Sequence, residues 1–331
     1  MKKYLLYILL LALNLKLLGI NPQFSQFYSN PLYLAPSFAG AIHGSRMSLN
    51  YREQWLSFDT DLNTYRTYNV AFDHYFNHFN SGVGISLLKD VAGSGNLGIT
   101  KLSAMYSYNL KIFNVWHVRP GLSASYLSYG VDFQKLNFMS DIKGNDASVV
   151  LPPIEDKLHK FDATGSMLIY SKHIWIGGTV DHLVKPTNSF FDQKNKAFSS
   201  TYHYKAFGGV TLIKESKLLN PIDETITFAF QYQKQLEEEQ LDAGVYWYKF
   251  PLVLGAWYRG VPLKDYDDNR GDAIIFLIGF KNRQFNVGYS YDFTISNLIG
   301  KQHGSHEISI VYKFNLPERK EKRGMVPCPE F

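Results

Sequence analysis

Apolar and polar residues alternate along most of this chain. Met47, Leu49 and Tyr51 are interleaved with Ser48, Asn50 and Arg52, the period of two that gives a strand one apolar and one polar face. Tyr68, Val70 and Phe72 stand against Thr67, Asn69 and Asp73. Ile226, Phe228, Phe230 and Tyr232 stand against Thr225, Thr227, Gln231 and Gln233. Phe285, Val287, Tyr289, Tyr291 and Phe293 stand against Asn286, Gly288, Ser290, Asp292 and Thr294. With turn signals between the runs, the pattern predicts strands at residues 45–53, 63–76, 81–89, 97–110, 115–129, 161–170, 173–183, 201–213, 224–235, 240–249, 251–260, 271–281, 284–294 and 304–314. That is fourteen, an even number that brings both ends of a closed sheet out on one side.

The stretch before the first strand obeys no such period. Phe24, Phe27, Tyr28, Leu32, Tyr33, Leu34 and Phe38 are scattered among Pro22, Pro31 and Pro36. Each proline removes a backbone donor and disfavours helix just before it. Irregular backbone cannot face lipid. In a membrane barrel, residues 22–40 are therefore expected against the lumen or at the periplasmic mouth, as a plug or a docking surface.

Composition narrows the class. The 331 residues are 16% aromatic and 19% charged, with a mean hydropathy of -0.19. An apolar outside averaged with a polar inside gives a transmembrane barrel an unremarkable mean. Lys2 and Lys3 precede an apolar run at residues 4–13, too short to span a bilayer and read as a signal peptide ending near residue 20. No later stretch has the length of a membrane helix; residues 273–280 come nearest. An exported β protein remains, either a soluble sandwich or an outer-membrane barrel.

The connections favour the barrel. Residues 77–80, 112–114, 171–172 and 281–284 are short, and residues 134–160, 185–200 and 261–270 are long. Residues 214–223 and 237–239 break the alternation. Tyr126, Tyr129, Tyr202, Tyr204, Tyr246, Tyr248, Trp257 and Tyr258 lie near strand ends, where membrane girdles are expected. Residues 274–278 are apolar on both faces and are expected to line a packed part of the lumen. Ile308, Ile310, Tyr312 and Phe314 form an outward-facing last strand ending on an aromatic.

The expectation is an all-β, transmembrane antiparallel up-and-down barrel of about 14 strands. It comprises a signal peptide at 1–20, a lead-in at 21–44, a barrel at 45–314 and a basic tail at 315–331. Both termini are expected in the periplasm, and outer-membrane lipid is a partner by construction.

Reactive motifs are weak. Gly93, Gly95 and Gly98 match G-x-G-x-x-G, but alternating strands flank them where a dinucleotide site needs a helix, so they read as a hairpin. Asp265, Asp267 and Asn269 begin like a calcium loop, with Gly271 one place late and Phe276 where the closing Glu belongs. His182 beside Asp181, and His303 and His306 beside Glu307, are the only histidines worth inspecting for catalysis. Cys328 is the single cysteine and makes no internal disulfide. No cofactor, metal site or nucleic-acid partner is expected; the net charge of +5 is too diffuse for the last. Arg46 and Arg52 lie on the polar face of the first strand and Arg66 near the start of the second. Arg119, Lys205 and Arg259 are expected to point inward at Asp162, Asp181, Asp292 and Glu307 as internal salt bridges.

Several of these residues also carry a family resemblance. Pro22 to Gln26 with Phe24, Ser25 and Gln26, then Asn30, Pro31, Leu32 and Tyr33, Pro36, Ala39 and Gly40, and Leu49 to Arg52 with Gln54 and Trp55, resemble the PorP/SprF family of the type IX secretion and gliding machinery. Residues 89–93 and the Pro327-Cys328-Pro329 run add to it, while Asn21 stands where the family is expected to have an acidic residue. The resemblance implies a non-enzymatic barrel that binds secreted surface proteins, such as adhesin C-terminal domains, for export or anchoring. It also implies periplasmic or lipoprotein ring components as partners. The quoted lead-in residues, with Arg323, Cys328 and Phe331 of the tail, are then candidate partner contacts. A general diffusion channel or small-solute transporter is the alternative, and a rim enzyme comes last.

Overall fold

The computed structural model describes residues 21–54, 65–93, 97–113, 115–130, 157–185, 201–214, 224–236, 238–260, 271–295 and 304–314. Its strands are β1 (Ser45–Gln54), β2 (Tyr65–Phe76), β3 (Ser81–Ala92), β4 (Leu97–Tyr108), β5 (Leu110–Ile112), β6 (Trp116–Gly130), β7 (Lys157–Tyr170) and β8 (Ile174–Asp181). They continue as β9 (His203–Lys214), β10 (Glu224–Gln235), β11 (Glu238–Lys249), β12 (Leu252–Gly260), β13 (Gly271–Lys281), β14 (Phe285–Thr294) and β15 (Ser305–Phe314). β4 and β5 both pair with β6, so they form one interrupted strand and the wall is a closed barrel of 14 strands. Successive strands pair antiparallel, and β15 returns to β1 with Phe314 opposite Ser45. Closure leaves no open edge around the wall. All the strands read from the sequence are present, with ends shifted by a few residues.

The alternation sorts faces as expected. Tyr68, Val70 and Phe72 point outward, while Thr67, Asn69 and Asp73 are buried inside. Ile274, Phe276 and Ile278 face out and Ile275 and Leu277 face in, which explains an unbroken apolar run on one strand. Of the G-x-G-x-x-G glycines, Gly93 follows β3 and Gly98 lies on β4, which pair as a hairpin, and Gly95 lies outside the described residues.

The interior is two-sided. On β1, β2, β14 and β15 the inward positions are mostly polar, including Arg46, Asn50, Arg52, Asp73, Asp292 and Glu307. On β7 to β13 they include Leu168, Tyr170, Trp175, Phe207, Tyr246, Trp257, Ile275 and Leu277. This corrects part of the girdle expectation: Tyr129, Tyr246 and Trp257 are buried in the lumen, whereas Tyr126, Tyr202 and Tyr204 do face outward.

The lead-in fills that lumen. Phe27–Ser29 and Pro36–Phe38 are single 3-10 turns, and Pro31–Leu34 is one turn of α-helix. Pro31 and Pro36 each open their turn, where a missing N–H costs nothing. Phe27, Tyr28, Leu34 and Phe38 pack on the apolar half of the wall, with Phe27 edge-on to Trp257 at 5.0 Å and Phe38 5.5 Å from Phe207. Burying each such large side chain contributes roughly 1.5–3 kcal/mol.

The lead-in lies against the lumen, as expected, and its path runs between the two ends of the wall. Ser45 and Phe314 share one end of the barrel, as the even count requires, and that end carries the short connections 77–80, 113–115, 171–173, 250–251 and 282–284, with the longer 215–223 as the exception expected from the sequence. Asn21 sits at the opposite end, beside His182 and His203, where β8 ends and β9 begins. The segment therefore runs the length of the lumen before turning into β1.

At the turn, its backbone lies directly on the wall. Gly40 has φ +66°, and a side chain on Gly82 would place Cβ 1.9 Å from the Ala39 carbonyl oxygen. Gly82→Ala is accordingly expected to lower the unfolding free energy by at least ~2 kcal/mol through this backbone clash. Gly165→Ala, whose Cβ meets only side chains at 3.6 Å or more, should be close to neutral. Denaturant titration of the protein folded in lipid vesicles measures both.

Candidate functional site

The residues singled out by the sequence converge on the seat of the lead-in. Glu307, on β15, is fully buried and accepts from two successive backbone N–H groups, Ser25 at 2.6 Å and Gln26 at 3.1 Å. Consecutive N–H groups form a concave cradle for an anion, here inverted so that the wall supplies the anion. The Gln26 side chain completes the grip, donating to the Glu307 carbonyl at 2.9 Å and to Ser290 at 3.1 Å, and accepting from Ser309 at 2.6 Å.

Arginines balance the carboxylates. Arg52 reaches Glu307 at 3.2 Å and Asp292 at 2.8 Å. Arg259 reaches Asp292 at 2.8 Å and Asp242 at 2.8 Å. The Ser25 hydroxyl donates to Asp292 at 2.6 Å and accepts from both Arg259, at 3.0 Å, and Arg52. One serine of the lead-in thus closes a five-membered set of buried charges contributed by β1, β11, β12, β14 and β15.

The far end of the segment is held in a similar way. Asp73 accepts from the Gly40 N–H at 2.7 Å and from Arg46 at 2.8 Å, and Arg46 also donates to the Phe38 carbonyl at 3.2 Å. Arg119 donates to the Ser37 carbonyl at 3.2 Å and to that of Ala39, which also accepts from Ser107 at 2.7 Å. In between, Asn69 donates to Asn30 at 2.8 Å, Thr179 to the Leu34 carbonyl at 3.3 Å, and Tyr28 to the Gly208 carbonyl at 3.1 Å. Lone backbone groups at membrane depth would each cost several kcal/mol, and the wall's polar side chains meet them one by one.

Where the lead-in starts, Asn21 lies 3.0 Å from both His182 and His203. His182 pairs with Asp162 at 2.8 Å, not with its sequence neighbour Asp181. Asp181 instead meets Lys205 at 2.9 Å and His203 at 3.2 Å. His306 points outward against Tyr289 while Glu307 points inward, so adjacency in sequence does not bring them together; His303 lies outside the described residues. These pairings hold structure and do not assemble a nucleophile with its base.

Among the candidate partner contacts, Phe24, Ser25, Gln26, Asn30, Pro31, Pro36, Gly40 and Arg52 are buried in the lumen, and Tyr33 and Gln54 are half-buried. Trp55, Arg323, Cys328 and Phe331 lie outside the described residues, as do Asp265, Asp267 and Asn269. The inward charges are as expected for Lys205 and Arg259, and Arg119 is inward but binds carbonyls instead of acids. Arg66 is half-exposed and pairs with Glu53 at 3.0 Å. Asp73 was legible as a polar strand position and Asp242 was not singled out; the partners of both follow from cross-strand register and lumenal contact.

Removing one member of this charge set should be costly. Arg52→Met leaves Asp292 and Glu307 without a shared cation, with an expected loss of about 3–5 kcal/mol. Adding Glu307→Gln to Arg52→Met should cost clearly less than the sum of the two single changes, since both disturb one network. Strict additivity in denaturant titrations, or single losses below ~1 kcal/mol, would show that the network does not hold the segment.

Comparison with known proteins supplies a family and several distant likenesses. The family described as type IX secretion system membrane protein PorP/SprF matches residues 18–312. No curated protein matches the chain. Among solved structures, the outer membrane protein Omp33 of Acinetobacter baumannii is similar at TM-score 0.43 and 9% identity, over 83% of this chain and 100% of that one. CdiB from Acinetobacter baumannii is similar at TM-score 0.46 and 7% identity, over 82% and 60%. The translocator domain of the autotransporter NalP from Neisseria meningitidis gives 0.36 and 13%, over 88% and 100%. These likenesses carry no functional weight. With nearly the whole of its barrel matched, the chain belongs to the PorP/SprF family of type IX secretion system membrane proteins.

Proposed function

We propose that this protein works by binding: it captures secreted surface proteins through their C-terminal domains at the outer membrane and couples them to periplasmic secretion components. The observation that carries this reading is the filled lumen. A diffusion channel needs a continuous polar path, and here residues 22–44 occupy the bore with side chains buried against opposite walls. The lead-in residues are committed to contacts within the chain, so partners are left the two rims. The longer connections present the outer rim, and the short-turn end presents the inner one. No bond need be made or broken; the family and fold are those of a secretion barrel, not of an enzyme.

Two measurements test this. The intact protein in a planar bilayer should show no steady conductance; a stable open level would favour the diffusion-channel alternative. The detergent-solubilised barrel should retain the purified C-terminal domain of a co-produced surface adhesin and not an unrelated secreted domain. Equal retention of both would overturn the reading.

A further inference from the structure

At the short-turn end, where the lead-in becomes β1, six rings line an open hollow of about 450 Å³: His43, His74, Tyr75, Phe76, His78 and Phe79. They are arranged in pairs. His43 stacks on Tyr75 at 4.1 Å, His74 meets Phe76 edge-on at 4.7 Å, and His78 meets Phe79 edge-on at 5.1 Å. Phe79 is 65% exposed and Phe76 42%. A hollow walled by ring faces suits a ligand that is flat-sided, apolar and already stiff.

We propose that this hollow is the seat of the chain's own Pro327-Cys328-Pro329 segment, which docks back onto the rim. Three observations support this occupant. First, the tail leaves the wall beside the hollow. Phe314 and His74 both lie opposite Ser45, on the two strands flanking β1, so they are about two strand spacings, or ~10 Å, apart. Residues 315–331 follow, and at roughly 3.3 Å per extended residue they can reach the hollow and turn within it. Second, the chemistry matches. Prolines spaced by one residue favour an extended polyproline conformation with little entropy left to lose, and such segments dock on aromatic-lined grooves. Third, the other stretch of the tail does not suit the site: Glu318 to Arg323 is almost wholly charged and is better left in water. The docked segment rests on the exposed Phe76 and Phe79 rings beside His43 and so fastens, from outside, the point where the lumenal segment joins the wall.

Cys328 is the only cysteine in the chain, so it reports its own position. His78→Cys places a thiol in the hollow, and Phe250→Cys places one on the exposed turn between β11 and β12 at the same end of the barrel. Full-length variants in native membranes are treated with a mild oxidant, and intramolecular disulfides to Cys328 are quantified by peptide mass spectrometry. Docking should raise the yield for His78→Cys about tenfold over Phe250→Cys, by effective concentration. Combining Pro327→Ser and Pro329→Ser with His78→Cys should bring the yield down towards that control. Equal yields at the two positions, or disulfides formed only between chains, would overturn the proposal; the latter would assign the hollow to a second copy.

Discussion

The structure depends on the pairing of one buried carboxylate with two backbone N–H groups. Glu307 receives Ser25 and Gln26, and Arg52, Arg259, Asp292 and Asp242 balance that contact. A segment broken by Pro22, Pro31 and Pro36 cannot satisfy its own backbone as one continuous helix or strand. Buried against the wall, the segment is also out of reach of bulk water. The wall must therefore provide acceptors for free N–H groups and donors for free carbonyls. Glu307 and Asp73 do the first, and Arg46, Arg119 and Thr179 the second. Each buried charge then needs a counter-charge, which explains why Arg52 and Arg259 converge on Asp292, Asp242 and Glu307.

Polar contacts position the segment, and apolar ones immobilise it. Strands β7 to β13 turn aromatic and aliphatic side chains inward, so the barrel has a hydrophobic core in its lumen as a soluble domain has one between its layers. Phe27, Tyr28 and Phe38 complete that core from the lead-in. A porin keeps its lumen polar all round because its function is passage. Here the interior is half apolar and holds residues 22–44, and the proposed binding role rests on that difference.

Much of this was legible in the residue order. Alternation located the strands, since one residue of slip would exchange lipid-facing and lumen-facing side chains throughout. The same logic made Arg46 and Arg52 inward before any partner was known. The irregular, proline-broken run at 22–40 implied a place away from lipid. What was misread is equally instructive. Tyr246 and Trp257 looked like girdle residues because tyrosine and tryptophan favour strands wherever they sit. Their direction depends on which strand face has the lead-in against it. His182 beside Asp181 looked like a pair, yet β8 ends at Asp181 and His182, at φ +63°, turns its ring to Asp162, while Asp181 meets Lys205 and His203.

By itself, then, the sequence determined the fold class, the strand count, the two faces of the wall and the exclusion of the lead-in from lipid. These rest on local periodicity and on the covalent limits of proline, which act within a few residues. The tertiary structure alone decided that the lead-in runs end to end through the bore, that Asn21 and Gly40 lie at opposite ends, and which carboxylate meets which arginine. Those contacts join residues as far apart as Ser25 and Glu307. They are set by barrel closure and by the register of β1 against β15, distances that no local pattern encodes.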